Sequence, residues 1–277
     1  MSEFINYIMN KQTITAFILF LTAMLHAQNA QKSDKLFEDQ SPMELKLSYS
    51  NKDLNKNTDD STFITTSMGY LHEGKWNEIE VNLRARGNFR RNQCYFPPVK
   101  MKIKKSQYSE TIFDGNKTMK LVLPCKIESE NNDNILQEFI AYKIYEQVSP
   151  FHFKTKRVNI EFTEPKGNND KVFQLKGFLI EDDKRVADRH EGKVMERFIH
   201  PMAMQHTTSV QNAFFQYLLG NTDFSVAYQH NGKLLYVKKE IIPLPYDFDM
   251  TGWVNPSYAT VNSTLGIQSV QDRVYRG

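Results

Sequence analysis

The stretch Gly220-Asn221-Thr222-Asp223, followed by Asn231 and by Pro245-Tyr246-Asp247-Phe248-Asp249, governs how the rest of this chain is read. Gly220 closes a helical pattern, a polar loop then carries Asp223 and Asn231, and the apolar run Ile241-Ile242-Pro243-Leu244 delivers two more acids. Apolar strands that end in acids bring carboxylates to a sheet edge. A hard cation such as Mg²⁺ takes oxygen ligands from one or two carboxylates, with an amide oxygen and phosphate oxygens completing the shell, which suits Asp247 or Asp249 with Asn231. Asp223 is then the carboxylate that orients an acceptor hydroxyl and takes its proton in phosphoryl transfer. Spacing alone leaves a second reading open, in which the acids of Asp247-Phe248-Asp249 cap a turn after a strand and Asn221-Thr222-Asp223 is an Asx-turn after a helix.

Upstream lie Arg84-Ala85-Arg86-Gly87-Asn88, Pro97-Pro98-Val99-Lys100-Met101-Lys102 and Gly177-Phe178-Leu179-Ile180-Glu181. Taken in order with the two acidic loops, these segments resemble the CotH kinase-like family from about residue 80 onward. Val254-Asn255-Pro256-Ser257-Tyr258-Ala259 adds a likeness to exported Bacteroidetes members of that family. The resemblance implies an α+β, atypical protein-kinase-like two-lobed fold, with a sheet-rich N-terminal lobe and a helical C-terminal lobe. It implies ATP and Mg²⁺ or Mn²⁺ between the lobes, and a protein hydroxyl as acceptor. Residue by residue, Asp223 matches the catalytic acid, Asn231 with Asp247 or Asp249 matches the metal ligands, and Glu181 is the acid picked out in its segment. The chain departs from the family pattern at Phe224, in the insert Ser225 to His230, and at Tyr246, where Trp is frequent. It also stops where related chains continue, so the kinase-like domain expected over 43–277 is read as truncated at its C-terminus.

Arginine forks suit phosphate oxygens, and glycine lets backbone approach them closely. Arg86, beside Gly87, is therefore the first choice for a phosphate or ion-pair role, with a solvated basic turn as the competing account. Lys102 and Lys120 are the lysines offered for steadying nucleotide phosphates, each equally readable as an exposed strand lysine. Glu138 is read as a partner for such a lysine or as a surface carboxylate.

The bounds on these readings come from composition. With 277 residues, 40% apolar and 12% aromatic, the chain can bury a sizeable core in one domain or two closely packed lobes. A net charge of +3 implies no nucleic-acid partner. His72, His152, His190, His200, His206 and His230 lack the spacing of a zinc site. Lys11, the apolar run Ile14 to Leu25 and the small residues near Ala27 and Ala30 read as a signal peptide over 1–27, with an uncleaved anchor as the alternative and Met9 as a second start. That run is too short for a comfortable membrane span. Residues 28–42 read as a flexible leader. Cys94 and Cys125 suit a disulfide in an exported protein, with two buried thiols as the alternative.

Period-two alternation marks strands at Ile79-Val81-Leu83, Val99-Met101-Ile103 and Val158-Ile160-Phe162, the last with a hairpin partner over Val172 to Ile180. Capping-box patterns start helices at Asn134 and Thr208, the second placing Val210, Ala213, Phe214, Tyr217 and Leu218 in the core and stopping at Gly220. Asn51 to Ser61 reads as a polar loop. The function expected is exported, metal-dependent transfer of the ATP γ-phosphate to a protein hydroxyl. The rival is a cell-envelope or surface binding protein that keeps the fold without transferring phosphate, and a glycan-associated module is a third reading.

Overall fold

A computed structural model of the chain describes residues 34–87, 89–127, 130–167 and 169–276. Seven strands close into a barrel: β1 (Met43–Ser48), β2 (Ile64–His72), β3 (Lys75–Ala85), β4 (Val99–Ile103), β5 (Thr118–Val122), β6 (Thr155–Glu164) and β7 (Lys171–Glu181), in the order β1-β2-β3-β4-β5-β7-β6. All pairings are antiparallel except the one that closes the barrel, where β1 runs parallel to β6 from Met43 opposite Val158 to Ser48 opposite Thr163. Alternation fills the interior: Leu45, Leu47, Met68, Val81, Leu83, Met101, Leu121, Ile160 and Phe162 are buried in one continuous core.

Beside the barrel stands a three-stranded antiparallel sheet of β8 (Lys193–Met195), β9 (Gly232–Val237) and β10 (Glu240–Pro245), in the order β10-β9-β8. Helices α1 (Asn51–Asn57), α2 (Phe89–Gln93), α3 (Lys105–Tyr108), α4 (Glu130–Val148), α5 (Asp183–Arg189) and α6 (His206–Leu218) accompany the sheets. Helix α4 mortars the two sheets together. Its Phe139 meets Phe178 of β7 at 5.9 Å between ring centroids, and its Tyr142 meets Phe248 after β10 at 4.7 Å. Phe215 of α6 packs on the same Phe248 at 5.5 Å.

The expected two-lobed, kinase-like architecture with a helical C-terminal lobe does not hold. The strand-rich part is a closed barrel, and the C-terminal part is built on a second sheet. Only α4 and α6 among these helices exceed seven residues. Alternation identified the strands correctly at β3, β4, β6 and β7. Closure depends on the β1–β6 pairing across more than a hundred residues, which period-two alternation does not specify.

Several local readings change for physical reasons. Asn51 to Asn57 is helical, capped by the Ser50 side chain accepting from Asp53 N–H, with Leu54 buried. Helix α6 begins at His206, because the Gln205 side chain accepts from Thr208 N–H at 2.7 Å; Gln211, expected to cap it, donates instead to the Val148 carbonyl at 3.1 Å. Its buried face is Thr208, Asn212, Ala213, Phe215 and Gln216, while Val210, Phe214 and Leu218 are exposed. Of the segment expected to be a flexible leader, residues 34–38 form a helical turn whose Leu36 and Phe37 are buried, and Lys156 holds Asp39 at 3.1 Å. The expected signal peptide lies outside the described residues.

Cys94 and Cys125 form a disulfide that ties the end of α2 to the chain leaving β5. Among the described residues, no helix is long and apolar enough to cross a membrane.

Candidate functional site

Two loops, one after α6 and one after β10, meet the turn between β3 and α2 around a cavity of about 780 Å³. Its walls include Arg86, Arg90, Asp223, His230, Asn231, Lys233, Asp247 and Asp249. The candidate catalytic acid Asp223, the candidate metal ligands Asn231, Asp247 and Asp249, and Arg86 all line this one cleft.

The first loop is set by the end of α6. Gly220 adopts φ +60°, the left-handed conformation that ends a helix without a Cβ penalty. Buried Asn221 then donates its side-chain amide to Gln216 Oε1 at 2.8 Å, and its Oδ1 accepts from Asp223 N–H at 2.9 Å. The Asx-turn read from sequence therefore exists, and it is what aims Asp223 into the cleft. Asn231 Nδ2 donates to the Asp223 backbone carbonyl at 2.6 Å and to Oδ2 at 3.0 Å. His230 Nε2 lies 2.9 Å from Asp223 Oδ1.

The second loop is held to the first by Tyr246 N–H donating to the Asn231 carbonyl at 3.3 Å. Asp247 takes φ +65°, and its N–H donates to the Tyr142 hydroxyl on α4 at 3.0 Å. A turn later, Gly252 N–H donates to the Gly220 carbonyl at 3.1 Å. A Cβ at Gly252 would sit 2.4 Å from the Val270 carbonyl oxygen, so this close backbone crossing admits only glycine.

No family model, curated protein or solved structure matches the chain. The site is therefore read from its own geometry.

That geometry separates the two acids that sequence left equivalent. Asp247 is partly exposed on the cleft wall, whereas Asp249 is 4% exposed and faces Arg90, with Nε 3.6 Å from Oδ2. The Tyr258 hydroxyl donates to the same Oδ2 at 3.2 Å. Burial pushes the Asp249 carboxyl up to about 7, the Asp247 charge adds to that rise, and Arg90 opposes it. Glu138 is not a surface carboxylate. It is 1% exposed, 3.8 Å from Arg90 Nη1, and burial raises it well above the carboxylate range.

One buried guanidinium thus faces three carboxylates, Glu138, Asp247 and Asp249. Arg90 Nη2 is spent on the Leu123 carbonyl at 2.6 Å, while Arg90 Nε and Glu138 Oε2 make no hydrogen bond among the described residues. A cation on the open, Asp247 side would favour the charged forms of these buried carboxyls over their protonated forms. No group of three or more His, Cys, Asp or Glu among the described residues forms a cation cage, so a shell here needs the Asn231 amide oxygen and oxygens from a ligand.

The basic residues divide. The Arg86 guanidinium lies 5.2 Å from the Tyr246 ring centroid, lines the cleft, and makes no side-chain hydrogen bond or ion pair among the described residues. Lys120 is buried behind the same ring, 4.4 Å from its centroid, with Nζ unpartnered among the described residues. Burial pushes its amine down to about 8, against the pull of Asp183. Lys102 does not reach the cleft; it lies on the outer face of β4, 4.2 Å from the Phe63 ring centroid. Glu181 is outside it too, held by Arg189 through two 2.8 Å contacts and by Lys154 N–H. Lys102, Lys120 and Glu181 were all offered for the nucleotide site, and none of the three lines the cavity.

The sequence assigns no site role to Lys233, His230, Tyr258 or Arg90. Lys233 lines the cleft and stands 3.8 Å from Asp183. His230 and Lys233 stand one or two residues from Asn231 and Arg90 lies in the basic turn, but Tyr258 follows Asp249 by nine residues, and nothing in the periodicity of the sequence separates the four from ordinary surface residues.

Proposed function

We propose that this chain is an exported phosphotransferase that moves the γ-phosphoryl group of ATP to a protein hydroxyl with Mg²⁺ or Mn²⁺. The observation that carries the reading is the convergence of Asp223, Asn231, Asp247 and the unpaired Arg86 on one cleft of nucleotide size. The ordered likeness to CotH kinase-like proteins supports the same chemistry, without their two-lobed scaffold.

Asp247 and the Asn231 side-chain amide oxygen would hold the cation, which when bound would supply charge neutralisation to the phosphates. Arg86 and Lys233 meet phosphate oxygens, where fixed positive charge stabilises the charge that spreads during transfer. Asp223 orients the acceptor hydroxyl and accepts its proton as the new O–P bond forms and the bond to the ADP oxygen breaks. Asp249, braced by Arg90 and Tyr258, fixes the loop that carries Asp247. The disulfide and the N-terminal signal pattern support export.

The test is incubation of the chain with γ-labelled ATP, Mg²⁺ or Mn²⁺ and an extract of envelope proteins. Label on a protein that disappears with Asp223→Asn is the expected result. Nucleotide bound but never transferred by the folded wild type would leave a non-catalytic binding protein.

A further inference from the structure

We propose that His230 is a positioning residue of this transfer site, forming with Asn231 a two-sided clamp on the Asp223 carboxylate; the inference rests on the functional reading above. His230 Nε2 stands 2.9 Å from Oδ1, and Asn231 Nδ2 stands 3.0 Å from Oδ2. Consecutive residues on an extended chain point to opposite faces. Here they reach the same carboxylate, because the backbone is bent out of regular geometry around them.

Gln229 has φ +53° and Asn231 φ +47°, so two non-glycine residues in the left-handed region bracket His230. Such conformations cost energy and persist where the surroundings impose them. The imposing contacts are a pair of backbone bonds, Ser225 N–H to the His230 carbonyl and His230 N–H to the Ser225 carbonyl, both 3.0 Å. Gln229 Nε2 adds a bond to the Arg197 carbonyl at 2.9 Å. The six residues Ser225 to His230, which set this chain apart from the family it resembles, thus form a hairpin whose product is the clamp.

Stability does not explain the pair. The His230 side chain is 59% exposed and that of Asp223 45%, and ion pairs so open to solvent contribute little to folding. What the contact fixes is direction. With one donor on each oxygen and its backbone carbonyl also held by Asn231, Asp223 keeps a single orientation, with the remaining lone pairs of its carboxylate free to accept from a hydroxyl. For this contact Nε2 is the nitrogen that donates to Oδ1.

The test compares wild type with His230→Ala and His230→Gln, the latter returning an N–H donor at nearly the same reach. Turnover and KM for ATP are measured with the labelled-phosphate assay, and ¹⁵N spectra of labelled histidine report the tautomer. The expected result is that His230→Ala lowers kcat by roughly tenfold to a hundredfold with KM for ATP unchanged, and that His230→Gln recovers most of the loss. A wild-type spectrum showing Nε2–H, altered by Asp223→Asn, completes it. Equal kcat in wild type and His230→Ala, a change confined to KM, or no recovery by glutamine would overturn the role while leaving the transfer reading intact. A wild type that binds nucleotide and never transfers it overturns both.

Discussion

Arg90 and Asp249 face each other in the interior at 3.6 Å, and this contact joins the barrel to the acidic loop of the second sheet. Arg90 comes from α2 and is anchored at the Leu123 carbonyl after β5, so the barrel end and the loop bearing Asp247 share one buried charge. Above the raised Asp249 value of about 7, removing the guanidinium leaves that carboxylate buried without a counter-charge. Arg90→Leu is expected to cost about 3–5 kcal/mol in urea unfolding, and a loss under 1 kcal/mol would show that the acids are neutral at working pH.

Lys120 gives a pH dependence whose sign is fixed. Its folded value, about 8, lies below the ordinary 10.5, so burial penalises the charged amine. At pH 7 the amine is charged in both states and the penalty is complete. Between about 8 and 10.5 the folded chain has released a proton that the unfolded chain retains, and the penalty fades as pH rises. Lys120→Met should therefore be more stable than wild type at pH 7 by on the order of 3 kcal/mol, with the difference vanishing near pH 10.5. Denaturant unfolding at pH 7 and pH 10 measures it. A difference independent of pH would mean that the amine is not the cause.

The Cys94–Cys125 disulfide closes a segment of 31 residues right beside Arg90, since Cys94 N–H donates to the Arg90 carbonyl. Replacing both cysteines by alanine should cost about 3–4 kcal/mol on the chain-entropy account, read as a lower midpoint in denaturant. Because α2 loses its tether, the variant should also bind nucleotide more weakly. Unchanged affinity in the folded variant would show that Arg90 is held without it.

Much of the site was legible because its chemistry sits in short loops after recognisable elements. Gly220 marked the end of α6, Ile241 to Leu244 marked β10, and the acids that follow meet across the cleft as their placement implied. The fold was less legible. Alternation at Val81 and Met101 reveals a strand but not its neighbour, and β1 reaches β6 only after the chain has made four other strands. Glu138 is left between a lysine partner and a surface carboxylate by sequence, because helix α4 is buried on more than one side, between Phe178 and Phe248, and no polar stripe marks its solvent face. Lys102 and Lys120 look alike in sequence. They lie two strand positions apart in effect, one on the open barrel wall and one beneath Tyr246, and only the packing of the second sheet distinguishes them.

That distinction is itself testable. Arg86→Ala should weaken ATP binding about tenfold, since charged hydrogen bonds to phosphate are each worth roughly 1.5–3 kcal/mol. Lys102→Ala should leave binding unchanged. Equal losses in both variants would place the nucleotide on the barrel wall instead of in the cleft.

Calorimetric titration of ATP into the folded chain decides whether the cleft holds a cation and a nucleotide together. The expected result is binding with Mg²⁺ or Mn²⁺ that disappears in EDTA and in Asp247→Ala, and that survives in Asp223→Ala. No binding by the folded wild type, or binding indifferent to both the cation and Asp247, would contradict it.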